Sequence, residues 1–557
     1  MPGNASNSAK QAELENAARL EDSVRAEHDI ESSELSPDQT DADFDAVQDS
    51  LADEHSGAET LAQSVAMLAL MAVLGKGVGF VRSVLFCRWL PEEELGLWDL
   101  ANGFLLLAAP VAVFGLTGSF RRYLEHFRRQ GQARVFLRRV AWVTAICGCL
   151  AVIGLIVARD AFSRFVFDTG TAGHLVLYSA LALAPLLVFY FAFELFAGLR
   201  MFRKVTVLQF IQSISFAVIA CIALVTVEAS ANTVMASYAA ATLICAGVAI
   251  VWARRAWATL PPRAAAARSG LAHRAMWGKI VPFAMWIWVT NWLANLFEVI
   301  DRYMLVHFSR MEEVEALAAV GNYHSARVAP LLLISVAAML NSALLPHLTA
   351  DWEAGRREAV AARMRMTLKL VALLLLGGAL FILVAAPWLF AYGLSGKYAA
   401  GQDVLPLAMI YMIWAGLATL STTYLWCAER AKLGSLALVV GLMLNVALNL
   451  LLVPSFGLYG AVTATCIANG VTLAVIHVFT RRLGLDGNRT LLVLFCAPLV
   501  LLLGPLATAG VLIVLAHQAI TRNWLLSEGE RTRLNEIFAS GITRLRRLFR
   551  RSEAPAA

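Results

Sequence analysis

Apolar runs of membrane-spanning length recur along most of this sequence, and they restrict it to one class of fold. A helical run of about 20 apolar residues matches the thickness of the hydrocarbon core of a bilayer. Twelve such runs lie approximately at residues 62–87, 97–118, 138–158, 174–197, 206–227, 232–253, 280–307, 316–345, 367–390, 404–427, 433–453 and 459–480. Because 59% of the residues are hydrophobic and only 15% are charged, a soluble domain is excluded. The sequence predicts an all-α polytopic membrane protein.

Positive charge alternates between successive connections of the predicted helices, and this alternation indicates how the chain is oriented. One set of connections is basic, with clustered Arg and Lys at 121–139, 200–204, 254–279, 356–369, 430–432 and 481–489. The other set holds little beyond Arg88, Arg159, Arg164, Arg310 and Lys397. Arg and Lys in short loops stay in the cytoplasm. We therefore expect a multi-pass membrane protein with both termini in the cytoplasm.

The longest basic connection, residues 254–279, divides the twelve runs into six and six. The halves, at 61–253 (N-lobe) and 280–485 (C-lobe), both begin on the predicted cytoplasmic side. They are therefore expected to be parallel repeats, two six-helix lobes with a central cavity between them. A further apolar stretch within 486–526 is interrupted by Gly504 and Pro505. One span, two thin helices and a re-entrant hairpin remain open for it, and a hairpin, giving up to 14 helices, is favoured.

The two ends of the chain carry opposite charge. Residues 1–60 hold 16 acidic and three basic side chains, which predicts a disordered acidic cytoplasmic tail. Residues 527–557 alternate apolar and arginine positions at helical spacing. This basic amphipathic tail is expected to bind anionic lipids of the cytoplasmic leaflet, which favours the hairpin because a hairpin returns the tail to that side.

Motifs of soluble enzymes are absent from the sequence. It has no HExxH, no GxSxG and no complete phosphate-binding loop, and Gly75–Gly79 only superficially suggests such a loop. The eight cysteines lie mostly within apolar runs and form no CxxC pair, so neither a disulfide framework nor a zinc site is predicted. We expect no enzymatic activity, no cofactor, no metal and no nucleic-acid partner.

Ionisable residues within the apolar runs are the candidate functional residues, because a charge at membrane depth is costly unless it serves a function. Lys76, Arg82, Arg302 and Arg327 are predicted to line a cationic cavity that binds an anionic headgroup. Glu298 and Asp301 are candidates for ion coupling or for charge pairing. Three structural alternatives stay open: snorkelling of Arg82 and Arg302, neutralisation of Arg302 by Glu298 one turn away, and pairing of Arg327 with Glu298 or Asp301.

Polar amide side chains are also found within the predicted spans. They are Asn291, Asn295, Asn322, Asn341, Asn445 and Asn449. Interhelical hydrogen bonding is the favoured role for most of them, with binding of sugar hydroxyls as the alternative.

Three stretches carry a resemblance to a known superfamily. They are Gly79–Arg88 followed by Pro91–Trp98, Tyr323–Arg327 running on to Leu344–Pro346, and Asn449–Pro454 with Phe456–Ala461. Over residues 61–485 the sequence resembles the multidrug/oligosaccharidyl-lipid/polysaccharide (MOP) exporters, specifically the polysaccharide flippase branch and the related murein lipid II flippases. The resemblance implies that Lys76, Arg82 and Arg327 line a cationic cavity. Lys76 stands where that family would have Arg, which favours a generic polyprenyl-diphosphate glycan over lipid II.

The predicted function is translocation of a polyprenyl-diphosphate-linked oligosaccharide for cell-surface polysaccharide biosynthesis, by alternating access of the two lobes. A polysaccharide polymerase or secretion protein is a candidate partner. Two alternatives remain: a cation-coupled multidrug or metabolite exporter of the same superfamily, which would need an acidic cavity, and a membrane scaffold of a polysaccharide secretion complex, for which the acidic tail is the support.

Overall fold

The computed structural model describes residues 70–71, 73–170, 172–260, 273–485, 489–521, 525 and 528–532. The chain divides into the units Met1–Leu70 and Met71–Ala557, and every helix named below belongs to the second unit. Within the described residues the structure is all-helical and has no strand. The acidic tail predicted at 1–60 lies outside the described residues, as do 527 and 533–557 of the predicted basic tail.

The helices follow the predicted spans closely. Their bounds are 73–89 (α1), Glu92–Val113 (α2), Phe120–Arg129 (α3), Ala133–Val157 (α4), Arg159–Phe167 (α5), Gly173–Gly198 (α6), Phe202–Thr226 (α7), Ala231–Thr259 (α8), His273–Phe308 (α9), Glu313–Val328 (α10), Pro330–Glu353 (α11), Arg357–Trp388 (α12), Ala399–Cys427 (α13), Ala431–Arg482 (α14), Arg489–Cys496 (α15) and Pro505–Thr521 (α16). Ten of the described helices are long and apolar enough to cross a membrane. The prediction of an all-α polytopic protein is confirmed.

One predicted span is divided into two helices, and a glycine separates two others as predicted. The eighth predicted run, 316–345, was expected to be one helix, but it forms α10 and α11 with a break at Ala329. Pro330 has no amide hydrogen to continue the helix, and its ring clashes with the preceding turn. Within the 52 residues of α14, Gly457 adopts a positive φ of 50° and separates the predicted eleventh and twelfth spans.

The carboxyl-terminal apolar stretch forms a hairpin. Helix α15 continues into a 3₁₀ segment, Ala497–Leu503, and the chain turns at Gly504, whose φ is 92°. The Thr508 hydroxyl therefore lies 3.4 Å from the Val500 carbonyl oxygen, although eight residues of straight helix would span about 12 Å. The Trp414 indole of α13 donates to the Phe495 carbonyl oxygen before the turn at 2.7 Å. Two short apolar segments, not one long span, thus follow α14.

A glycine seam joins α2 to α10. A Cβ atom added to Gly96 would clash with the Leu317 carbonyl oxygen, and one added to Gly321 would clash with the Glu92 carbonyl oxygen. The backbones of the second and eighth spans therefore touch directly, in the way small residues permit within membranes. This seam brings the charged residues of α2 next to those of α9 and α10.

Candidate functional site: two joined cavities

A cavity of about 450 Å³ lies among α1, α2 and α7–α11. It brings together five of the six predicted site residues: Lys76, Arg82, Glu298, Arg302 and Arg327. Asp99 and His324 line it as well. Four cationic side chains and two carboxylates leave it a formal charge of +2 with His324 neutral, and we call it the basic cavity.

Lys76 and Arg82 supply this excess charge. Neither side chain has a carboxylate within 4 Å, or a hydrogen-bond partner, among the described residues. The Arg82 guanidinium lies over the ring of Phe216, 4.4 Å from its centroid. Cation–π contact stabilises it without neutralising it. Both residues of α1 line the cavity, and among the described residues neither has a carboxylate partner.

Arg302 has a different environment. Its Nη1 donates to Asp99 Oδ2 at 2.9 Å, and the two side chains are only 4% and 3% exposed. Its Nη2 donates to the Glu298 backbone oxygen, so the Glu298 carboxylate is not the partner. His324 Nδ1 lies 2.8 Å from the second Asp99 oxygen. Arg302 thus lies at the cavity edge as one half of a buried ion pair linking α2 to α9 and α10.

Asp99 is a charged residue of the cavity that the sequence did not lead us to predict. The available signal was the same one that singled out the other residues, because Asp99 is an acid within the apolar run 97–118. Its two partners lie more than 200 residues away in the sequence. Only the packing across the glycine seam brings them together.

Arg327 lies between two cavities. It donates to Glu298 Oε1 at 3.3 Å, and its guanidinium lies 5.7 Å from the centroid of the Tyr323 ring. The Arg327 side chain is 8% exposed, whereas Glu298 is 53% exposed. The pairing with Glu298 that was left open is therefore present, with a carboxylate that remains open to the cavity.

A second cavity of about 780 Å³ adjoins the basic cavity, and Glu298, Arg327 and Leu331 line both. Asp301 lines this second cavity and not the basic one. Buried Asp301 accepts hydrogen bonds from Tyr323 at 2.6 Å and Thr465 at 2.7 Å through Oδ2. Its Oδ1 has no hydrogen-bond partner among the described residues.

Three of the six asparagines make hydrogen bonds between spans, the role favoured for most of them. Asn295 donates to the Leu106 carbonyl oxygen, and Asn445 donates to Thr465. Asn322 accepts from the Gly401 amide, so these three join different spans. Asn291 is exposed to the second cavity.

Comparison with known proteins identifies the family. A family model described as "Polysaccharide biosynthesis protein" matches residues 61–350, more than half of the 557-residue chain. The chain belongs to this polysaccharide biosynthesis protein family. A second model, "Lipid II flippase MurJ", matches residues 302–530 of this family member. No curated protein sequence matches it.

Solved structures share the fold of this family member at low sequence identity. "Lipid II flippase MurJ, inward closed conformation" has a TM-score of 0.61 at 12% identity, over 86% of this chain and 99% of that one. An inward-facing multidrug resistance MATE family transporter of the MOP superfamily has a TM-score of 0.57 at 13% identity, over 73% of this chain and 93% of that one. A third structure, "Reverse polarity of binding pocket suggests different function of a MOP superfamily transporter from Pyrococcus furiosus", has a TM-score of 0.55 at 16% identity, over 77% of this chain and 95% of that one. The predicted membership of the MOP superfamily is confirmed, and the protein is a membrane transport protein of that superfamily.

Proposed function

We propose that this protein is a flippase that moves a polyprenyl-diphosphate-linked oligosaccharide from the cytoplasmic to the periplasmic leaflet of the bacterial inner membrane. The observation that carries the proposal is the unneutralised pair Lys76 and Arg82 in the basic cavity. An uncompensated cation at membrane depth is costly. A diphosphate, with a negative charge on each phosphate, supplies the missing counter-charge, and Arg and Lys are the side chains that bind it best.

The proposed cycle is alternating access of two six-helix lobes. The sugar-diphosphate headgroup enters the cavity from the cytoplasmic leaflet while the polyprenyl chain remains in lipid, so neither part crosses a medium that disfavours it. No covalent chemistry is involved. Anionic lipids, a polysaccharide polymerase and secretion proteins are the proposed partners. The family description and the likeness to a lipid II flippase favour a lipid-linked substrate.

The rival function, cation-coupled export of small molecules, has its own support in Asp301. This buried carboxylate keeps one oxygen without a partner among the described residues, as an ion-coupling group would. The excess positive charge of the neighbouring basic cavity argues against a cationic drug as cargo. We propose Glu298 and Asp301 as coupling or charge-pairing residues of the flippase. The scaffold alternative rests on the tail at 1–60, outside the described residues.

The test is transport by purified protein in liposomes that contain a fluorescent undecaprenyl-diphosphate-linked disaccharide. The double variant Lys76→Gln/Arg82→Gln should lower the initial rate more than about tenfold, because each lost charged hydrogen bond is worth about 1.5–3 kcal/mol. Arg310→Gln is the matched control, since Arg310 is exposed and lines neither cavity. A wild-type rate in the double variant contradicts the proposal. So does a wild-type protein that moves a cationic dye and no lipid-linked sugar.

A further inference from the structure

The second cavity differs from the basic cavity in charge as well as in size. Among the described residues that line it, the charged ones are Glu298, Asp301 and Arg327, and two of them, Glu298 and Arg327, lie at its junction with the basic cavity. The remaining wall is aromatic, aliphatic, amide and hydroxyl. We propose that this cavity holds the sugar residues of the substrate, and that these sugars are uncharged. The inference rests on the proposed flippase function and narrows its substrate class.

The wall of the second cavity has the chemistry that a neutral sugar needs. Trp286 and Trp426 are 49% and 54% exposed, so their indole rings are accessible. A pyranose packs its C–H face against such rings. Asn291 offers both a donor and an acceptor, and Thr290 and Ser435, whose hydroxyls lie 3.5 Å apart, offer more. Aromatic walls with a few placed polar groups are typical of small-molecule sites.

The charged side chains that line the second cavity disfavour an acidic sugar. Two carboxylates against one guanidinium leave a formal charge of −1, and the guanidinium of Arg327 already lies against Glu298. A uronic acid or a peptide carboxylate here would meet the half-exposed Glu298 carboxylate, and the described lining residues include no cation other than Arg327 to pair with it. Leaving a carboxylate unpaired in a partly dehydrated site is costly, and it is a common basis of discrimination.

The two cavities are continuous enough for one headgroup to occupy both. Glu298 and Arg327 line both, so a headgroup with its diphosphate in the basic cavity can extend past these two residues into the second cavity. Trp286 precedes Glu298 by 12 residues on α9, a distance of about 18 Å along the helix. The cavity, at about 780 Å³, lies within the range of about 300–1,000 Å³ found for ligand sites. Several sugar units therefore fit beyond the diphosphate.

Three undecaprenyl-diphosphate probes test the inference in liposomes with the full-length protein. They carry N-acetylglucosamine alone, a trisaccharide of uncharged hexoses, and the same trisaccharide with its terminal unit replaced by a uronic acid. We expect the uncharged trisaccharide to move at least about tenfold faster than the acidic one. Equal rates, or faster movement of the acidic probe, overturn the inference even when the monosaccharide probe moves. If no probe moves, the proposed function itself fails.

Variants of the wall give a second, independent measurement. Trp286→Ala should slow the uncharged trisaccharide and spare the monosaccharide, whereas Trp142→Ala, on the exposed face of α4, should spare both. Asn291→Lys should raise the rate of the acidic probe relative to the uncharged one, and Asn291→Gln should not. An unchanged ratio in Asn291→Lys, or equal slowing of all probes by Trp286→Ala, contradicts the placement of the sugars.

Discussion

Two groups of deep cations share the basic cavity, and they differ in whether their charge is matched. Arg302 is almost fully buried and is held by Asp99, which His324 also contacts. Lys76 and Arg82 have no carboxylate partner among the described residues. In the sequence, all three residues have the same signature, an ionisable side chain within an apolar run. A buried charge with a partner joins helices, whereas a charge that lines the cavity without a partner is available for a ligand, and only the fold separates the two cases.

The largest effect is expected from a substitution that breaks the matched group, the ion pair of Asp99 and Arg302. Asp99→Asn should destabilise the protein by about 3–5 kcal/mol, because it leaves the buried Arg302 guanidinium without its counter-charge. Thermal unfolding in detergent and the amount of membrane-inserted protein measure this loss. Adding Arg302→Gln to Asp99→Asn should restore part of the stability. A control is Glu194→Gln, whose partner Arg121 is exposed, and it should cost less than about 1 kcal/mol. Wild-type stability of Asp99→Asn would show that the pair does not join the helices.

Arg327 lies between the two groups, since its partner Glu298 is half-exposed. Arg327→Ala should abolish translocation while leaving insertion largely intact, because the cavity can still hydrate the carboxylate that remains. Arg327→Lys keeps the charge and loses the planar fork, so we expect partial activity. The measurement is glycan translocation normalised to inserted protein. Full activity of Arg327→Ala, or its rescue by adding Glu298→Gln or Asp301→Asn, would assign Arg327 to the matched group.

A smaller effect is expected from conservative changes in the unmatched group. Arg82→Lys should lower the transport rate about fivefold, because an ammonium replaces the guanidinium over Phe216 and about 1 kcal/mol of cation–π and bidentate binding is lost. Lys76→Arg should remain within about twofold of wild type, since Lys76 is exposed and has room for the larger group. A wild-type rate in Arg82→Lys, or a loss in Lys76→Arg as large as that in Arg82→Lys, would contradict this difference between the two residues.

The smallest effect on activity is expected from cysteines placed in the loops. Their labelling tests on which side of the membrane the basic connections lie. Glycines in the loops at 131, 355 and 396 have positive φ, so a cysteine there would be strained. Gln130→Cys and Ala354→Cys avoid this strain and should be shielded from impermeant thiol reagents in intact cells, whereas Ala400→Cys should be labelled. The opposite labelling would contradict the predicted cytoplasmic position of the basic loops.

The spans could be predicted from the sequence because each apolar run carries its own signal. The break at Pro330 could not, since Pro110, Pro185 and Pro282 all lie inside continuous helices. Neighbouring groups in a membrane can satisfy the carbonyl that a proline leaves free, so residue type alone does not decide the outcome.

The candidate site could be predicted only in part. The energetic cost of a charge in lipid was enough to select Lys76, Arg82 and Arg327, which the structure places around one cavity. The pairing of Asp99 with Arg302 depends on which face of α2 is turned toward α9. That rotation is set by the contact at the glycine seam, which leaves no local pattern in the sequence.

The glycine seam between α2 and α10 has a consequence for the speed of the proposed cycle. Surfaces that interdigitate must withdraw their side chains and find new rotamers before they separate, and this raises the activation barrier. At Gly96 and Gly321 one bare backbone meets another, so no side chain has to leave a pocket there. In the alternating-access cycle proposed above, the lobes would part along this line. The polar contacts flanking the seam, which a bound anion can exchange for its own, would then set the rate of opening.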